Sequence, residues 1–457
     1  MTATNARTLF FIGIGGIGMS GLARYFRRRG ALVAGYDRTP SEITGQLQGE
    51  GIHLMFSEHP RLIPEEFQQI DANEVLVVRT PAVPVTSPLL KYWEARGARI
   101  VKRAELLGLI TRDRPTIAVA GTHGKTTVST MVAHLLREGG VRCNAFLGGV
   151  SVNYRSNILL DDNAVVNVVE ADEYDRSFLQ LRPTDAIITA MDPDHLDIYG
   201  TADAMYDAYA QFAALCTGTV LAKRGISAHL RKADVKEYTL NDPAFAYATN
   251  VRVQDGAYRF DLHAQGQRLI DLTLGMPGRH NVENAVAAST LALQHGVTPE
   301  KLRQGLATFR GVERRFDVRF KGSKSVYVDD YAHHPQELEA AIRSARELYA
   351  GRTVTGIFQP HLFSRTRDLA EGFGQALALL DELILLEIYP AREEPIPGIN
   401  SAWLLEQVPM TKKTLVLKEH LLGELENRRI DVLLTLGAGD IDRSVPAIVN
   451  LLNQREQ

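Results

Sequence analysis

The stretch Thr116-Ile-Ala-Val-Ala-Gly-Thr-His-Gly-Lys-Thr-Thr127 decides the architecture. It begins as an apolar, β-branched run. Val128, Met131, Val132, Leu135 and Leu136 then follow at helical spacing, so the order is strand, glycine loop, helix. The backbone N–H groups of Gly121, Thr122, His123, Gly124, Lys125, Thr126 and Thr127 are expected to cradle phosphates at the positive end of the helix dipole. Lys125 supplies a point charge for the terminal phosphates, and the Thr126 hydroxyl is placed to hold Mg²⁺. The strict nucleotide-loop pattern wants a further glycine where Val119 stands, so the loop is a shortened one. It predicts nucleoside triphosphate binding.

Two similar units flank this one. Upstream, Thr8–Ile12 reads as a strand and leads into Gly13-Ile-Gly15-Gly16-Ile17-Gly18, with Asp37 after a second strand at Ala31–Tyr36. Gly13, Gly15 and Gly18 form the fingerprint of a pyrophosphate on a helix N-terminus with an acid beside the ribose. Alone it suggests a nicotinamide-dependent dehydrogenase, but any diphosphate–ribose ligand, a UDP-sugar included, meets the same physics. The strand at Val75–Val78 ends in a rigid turn, Arg79-Thr80-Pro81-Ala82-Val83-Pro84.

Downstream, strands at Ser325–Val328, Thr353–Phe358, Glu382–Leu386 and Asp431–Leu436 each end in a polar or glycine-rich loop. Strands alternating with helices imply parallel sheets with ligands at the strands' carboxyl ends. A chain of 457 residues is too long for one core. The breaks at Arg112-Asp-Arg-Pro115 and near Asp317 suggest three α/β domains, 1–111, 112–316 and 317–457. The outer two are Rossmann-like and the middle one is P-loop ATPase-like. Within the middle domain, Asn250–Leu274 alternates as antiparallel hairpins.

Net charge is −3 with acids and bases interleaved, so no basic stripe argues for nucleic acid. The start is polar and no apolar run would span a bilayer, which fits a cytoplasmic protein. The two cysteines, Cys143 and Cys216, suffice for neither a disulfide framework nor a zinc site, and read as small buried hydrophobes.

In the middle region Glu170 and His195 sit just past strand ends, on the same edge as the phosphate loop. They are candidate ligands for Mg²⁺ or Mn²⁺. Asp172 and Glu173 read equally well as solvated loop carboxylates. Asn281 opens a helix and could pair with an adenine edge or cap the helix. In the third region Asp330, Tyr331, His333, His334, His361, Arg365 and Arg367 fall on loops at strand ends, where Arg365 suits a carboxylate fork. Gly437-Ala-Gly439-Asp440 reads as a tight turn.

Taken in order, Phe11-Ile-Gly-Ile-Gly-Gly-Ile-Gly-Met-Ser-Gly21, Gly121-Thr-His-Gly-Lys-Thr-Thr127, Glu170-Ala-Asp-Glu-Tyr-Asp175, Asp194-His-Leu-Asp197, Gly278-Arg-His-Asn281, Arg314-Arg-Phe316, Asp329-Asp-Tyr-Ala-His-His-Pro335 and Phe358-Gln-Pro-His361 resemble the Mur ligases. These are ATP-dependent enzymes that build the peptide stem of bacterial peptidoglycan. The Met-Ser-Gly start, the His-His-Pro loop and Tyr389-Pro-Ala-Arg-Glu393 resemble the alanine-adding branch. The absence of a lysine between His195 and Lys223 fits that branch too.

The resemblance implies ATP with Mg²⁺ or Mn²⁺ as cofactors. It implies UDP-N-acetylmuramate and L-alanine as substrates, and a monomer or weak homodimer. Lys125 would hold ATP phosphates, Thr126, Glu170 and His195 metal, and Asn281 adenine. Arg315 and Asp330 would contact phosphate and ribose. Tyr331, His333, His361 and Arg365 would line the amino-acid side, with His333 as candidate base for the amine. Gly13, Gly15, Gly16, Ile17, Gly18, Asp37 and Thr80 would serve the sugar nucleotide. The rivals are a recycling ligase that adds a tripeptide to the same sugar nucleotide, a dehydrogenase, and a non-catalytic sugar-nucleotide binder.

Overall fold

The computed structural model describes residues 6–192, 196–391 and 393–456. Asp194, His195 and Arg392, and the side chain of Asp197, lie outside the described set.

The first sheet comprises β1 (Thr8–Ile12), β2 (Leu32–Tyr36), β3 (His53–Met55), β4 (Val75–Arg79) and β5 (Arg99–Lys102), in the order β3-β2-β1-β4-β5. Every pairing is parallel. β1 is apolar throughout because it is covered on both faces. Leu9 and Phe11 enter one core, while Phe10 and Ile12 enter another with Trp93 and Phe67. The strand order reverses beside β1, so the loop after β1 lies at the topological switch point, where such sheets bind ligands.

The second sheet comprises β6 (Thr116–Ala120), β7 (Cys143–Ser151), β8 (Ser156–Leu159), β9 (Val166–Glu170), β10 (Asp185–Ile188), β11 (Val220–Lys223), β12 (Lys236–Leu240), β13 (Ala246–Gln254), β14 (Ala257–Ala264) and β15 (Gln267–Leu274). Their order is β15-β14-β13-β12-β11-β10-β6-β9-β7-β8, so the strand feeding the phosphate loop is central. Two-residue turns at Asp255-Gly256 and Gln265-Gly266, all at positive φ, join β13, β14 and β15 as the hairpins expected from the alternation. β10 stops at Ile188. Thr189 and Ala190 instead brace the phosphate loop, through Thr189 N to Ala120 O at 3.0 Å and Thr122 N to Ala190 O at 3.1 Å. Both cysteines are buried, and burial pushes each thiol up to about 12.

The third sheet comprises β16 (Asp317–Lys321), β17 (Val326–Asp330), β18 (Val354–Phe358), β19 (Glu382–Leu385), β20 (Lys413–Leu415) and β21 (Val432–Leu436), ordered β16-β17-β21-β18-β19-β20. β16 alone runs antiparallel to its neighbour. Along β21, Val432, Leu434 and Leu436 face one core and Leu433 the other.

By contact the chain forms two compact units. One runs to Thr249 and adds Leu262–Leu269 and Glu283–Leu306. The other holds Asn250–Asp261, Ile270–Val282 and everything from Ala307. No helix among the described residues is long and apolar enough to cross a membrane.

Candidate active site

In the first unit the phosphate loop closes with Gly124 at φ 81°, which caps the helix Lys125–Glu138 without a side-chain cap. A residue with a Cβ pays strain in that left-handed conformation. Lys125 Nζ donates to Gly121 O at 2.6 Å and to Glu173 Oε1 at 2.8 Å. Burial alone would lower the Lys125 pKa. The carboxylates of Glu173 and Glu170 outweigh it and hold the ammonium above its ordinary value, so it stays charged. Thr122 Oγ1 accepts from Asp192 N at 3.1 Å, and His123 Nε2 lies 3.6 Å from the Asp192 carboxylate. Thr126 is half-buried on the first turn of the helix, and Thr127 is buried.

Glu173 faces the phosphate loop. Expected as readily in solvent as in a site, its side chain is only 2% exposed. It turns inward because the Lys125 ammonium is there to receive it. The oxygen not bound to Lys125 is buried with no hydrogen-bond partner among the described residues. Glu170 ends β9 and is half-exposed. It lies against Gly148 of β7, where any Cβ would overlap its carboxylate. Buried carboxylate oxygen near a charged phosphate loop suits a hard cation. Among the described residues, however, no three His, Cys, Asp or Glu side chains form a ready-made metal group, and His195 lies outside them.

The glycine loop after β1 turns back on itself. Gly13 N and Ile14 N donate to Tyr36 O at 2.7 and 3.0 Å, and Gly16 caps the helix Ile17–Arg28. Asp37 gives one oxygen to Gly15 N at 2.8 Å and the other to Thr39 N at 3.1 Å, so in this structure its carboxylate shapes the loop. The Thr80 methyl packs against Gly13. A cavity of about 170 Å³ is lined by Ile17 and Gly18 of the glycine helix, by Arg103, and by Gly148, Asn157, Glu170 and Asp172 of the phosphate-loop sheet. Arg103 reaches Asp172 at 3.2 Å across it. Arg103 belongs to no motif; only the fold brings it to Asp172.

In the second unit the residues after β17, β18 and β21 converge. Asp330 accepts from Phe316 N and Ala332 N, both at 2.7 Å, and burial pushes its carboxyl up to about 7 against the pull of Arg315. The Tyr331 ring has two guanidinium groups against it, that of Arg314 at 4.9 Å and that of Arg315 at 5.3 Å from its centroid. His333 Nδ1 lies 2.9 Å from Tyr331 O and 3.3 Å from Glu337, which fixes the proton on Nδ1 and leaves Nε2 as a lone-pair site. Burial, with Arg365 adding to it, lowers the His333 pKa against the pull of Glu337. The His361 ring stacks on Tyr389 at 5.8 Å and stands 6.2 Å from His333; burial, His333 and Arg365 push it down to about 4.

Arg365 is half-buried on the short helix Phe363–Asp368 and has no ion-pair partner among the described residues. Arg367, on the same helix, is exposed and pairs with Asp368. Asn281 is buried in the first turn of the helix Arg279–Gln294, its amide donating to Pro277 O at 2.5 Å. Gly437 and Gly439 pack on Gln359, whose amide holds Asp440 at 2.9 Å and Ile441 N at 2.9 Å, so this loop is a turn as expected.

Sequence reasoning thus placed Tyr331, His333, His361 and Arg365 in one cluster and missed Glu337 and Glu393, which brace it. Glu337 was detectable as the acid in the first turn of the helix Pro335–Leu348, which His333 immediately precedes. Glu393 was not, because it reaches Ser364 across 29 residues.

Comparison with known proteins agrees along the whole chain. Residues 8–115 match the Mur ligase family catalytic domain, 119–292 the Mur ligase middle domain, and 314–439 the Mur ligase glutamate ligase domain. The UDP-N-acetylmuramate–L-alanine ligase of Parabacteroides distasonis is 49% identical over 99% of this chain and 98% of its own length. That of Porphyromonas gingivalis is 50% identical over 96% and 97%. The crystal structure of UDP-N-acetylmuramate–alanine ligase from Thermotoga maritima superposes with a TM-score of 0.83 at 27% identity, covering 98% of this chain and 99% of that one. Three matched domains in the right order, full-length relatives and a phosphate loop with its lysine all agree: the chain belongs to the Mur ligase family.

Proposed function

We infer that the chain is an ATP-dependent ligase that joins L-alanine to the lactyl carboxylate of UDP-N-acetylmuramate. The reaction passes through an acyl phosphate and gives ADP and phosphate. Relatives at 45–50% identity over nearly the whole chain carry that name. The observation that carries the geometry is a cavity shared by Gly18 of the glycine helix and Glu170 beside the phosphate loop. A diphosphate held on the glycine helix extends its sugar toward that cavity, which sets the sugar's carboxylate beside the nucleotide.

Lys125 and the loop N–H groups Gly121–Thr127 stabilise the transferring phosphoryl. Thr126, Glu170 and His195 would hold Mg²⁺ or Mn²⁺, which supplies charge neutralisation at the phosphoryl oxygens. Asn281, Arg315 and Asp330 would serve the nucleotide. Gly13, Gly15, Gly16, Ile17, Gly18, Asp37 and Thr80 would serve the sugar nucleotide. Arg365 orients the alanine carboxylate, Tyr331 and His361 wall its side chain, and His333 Nε2 takes the amine proton. In this reading the domains run 1–111, 112–316 and 317–457. The enzyme works in the cytoplasm as a monomer or weak homodimer, without nucleic acid.

Phosphate release from ATP and UDP-N-acetylmuramate, measured with L-alanine, glycine, L-serine or a stem tripeptide, tests the reading. L-alanine should give the highest kcat/KM. Preference for the tripeptide would make the chain a recycling ligase. No amine-dependent release, with redox activity on NAD⁺ instead, would overturn the ligase assignment.

A further inference from the structure

The helix Phe363–Asp368 has an unusual start. Its N-cap is Leu362, at φ 69°, with no side-chain cap. A leucine can neither accept from the first-turn N–H groups nor adopt that backbone cheaply. The loop after β19 compensates. Tyr389 N donates to Pro360 O at 2.8 Å, and Leu362 N donates to Tyr389 O at 3.0 Å. His361 and Tyr389 form an isolated parallel bridge. Glu393 then completes the cap: its carboxylate accepts from Ser364 N at 2.9 Å, from the Ser364 hydroxyl and from Phe363 N. This loop therefore holds the backbone at Pro360, Leu362, Phe363 and Ser364, and Arg365 is the next residue.

We propose that Glu393 is a positioning residue of the amino-acid site, capping the turn that carries Arg365 and thereby fixing where the guanidinium meets the incoming carboxylate. A carboxylate at a helix start stabilises the N–H groups and the local dipole, and here no residue of the helix itself supplies one. Among the described residues Arg365 has no ion-pair partner, so its direction follows from the turn beneath it. The proposal rests on the reading of this site as the L-alanine site. It gives Tyr389 and Glu393, both in the stretch that marks the alanine-adding branch, a physical task.

The test is steady-state kinetics with each substrate varied in turn, on Glu393→Ala, Arg365→Lys and the double variant. Glu393→Ala should raise the L-alanine KM about tenfold, a typical cost of a lost cap with its charge. The KM values for ATP and UDP-N-acetylmuramate should stay within about twofold. In the Arg365→Lys background the same substitution should add little, because both act through one guanidinium. Glu393→Asp should recover part of the alanine KM, and Glu393→Gln serves if the alanine variant folds poorly. Equal change in all three KM values, or a full independent effect in the Arg365→Lys background, would overturn the proposal. Wild-type enzyme that does not turn over L-alanine would instead overturn the reading of the site, and the proposal with it.

Discussion

Lys125 Nζ lies 2.8 Å from Glu173 Oε1, so the phosphate-loop lysine rests on a buried carboxylate of its own chain. The pair satisfies two charges that would each be costly alone. It also keeps the ammonium protonated in a buried place, where desolvation would otherwise favour the neutral amine.

Lys125→Ala should therefore do two things. Turnover should fall at least a hundredfold, roughly the cost of removing one strong donor from a developing anion. Stability should fall too, by about 3–5 kcal/mol, because Glu173 is left buried without its counter-charge. Lys125→Met combined with Glu173→Gln should recover much of the lost stability and none of the turnover. Thermal unfolding and phosphate release on the three proteins check this; a single variant as stable as wild type would mean that Glu173 finds another partner.

Much of this architecture is legible in the sequence because its strands are buried on both faces. Thr8–Ile12 and Thr116–Ala120 read as continuous apolar runs, and both are strands at the bounds expected. The glycine and phosphate loops declare themselves because their chemistry needs consecutive residues. Glu173 and Glu393 do not, since each is defined by a partner far along the chain: Lys125 lies 48 residues away and Ser364 29. The hairpin of β7 and β8 was also unread, although it supplies Gly148 and Asn157 to the cavity. Its residues are mixed in polarity because β8 is an edge strand and the pair also lines the cavity.

Gly148→Ala should disable the enzyme without unfolding it. The new methyl would occupy the place of the Glu170 carboxylate, a side-chain end that can swing away. In the proposed function Glu170 holds the cation, and disturbing a metal site costs about ten- to a hundredfold in affinity or activity. The expected result is a lower kcat and a higher Mg²⁺ concentration at half-maximal rate, with a melting temperature close to wild type. An unchanged Mg²⁺ dependence would remove Glu170 from the metal site.

His361 and Asp330 should pull stability in opposite directions with pH. His361 titrates at about 4 in the fold against 6.5 when free, so the unfolded chain binds more protons in that window and the contribution rises with pH. Asp330 titrates at about 7 in the fold against 3.8, so the folded chain binds more protons and its contribution falls as pH rises between those values. Relative to wild type, His361→Gln should therefore lose stability as pH climbs from about 4 to 6.5, and Asp330→Asn should gain it up to about 7. Urea unfolding at half-unit steps of pH reads both slopes. Parallel curves would mean that the burial of these two groups is relieved in solution.

Arg365 should hold the carboxylate of L-alanine. It stands beside His333 and His361 closely enough to help lower both of their pKa values, and it lacks a carboxylate of its own among the described residues. A planar guanidinium makes two parallel charge-assisted bonds to a carboxylate, a geometry that lysine cannot reproduce. Losing hydrogen bonds to a charged group costs about 1.5–3 kcal/mol, which is one to two decades in affinity. Arg365→Lys should thus raise the KM for L-alanine by that factor and leave those for ATP and UDP-N-acetylmuramate nearly unchanged. Because both histidines would keep a nearby positive charge, the acid limb of the rate profile should move little. A surface cation with no ligand predicts no change in any constant. Varying each substrate in turn separates the two, and equal loss for all three substrates would take Arg365 out of the amino-acid site.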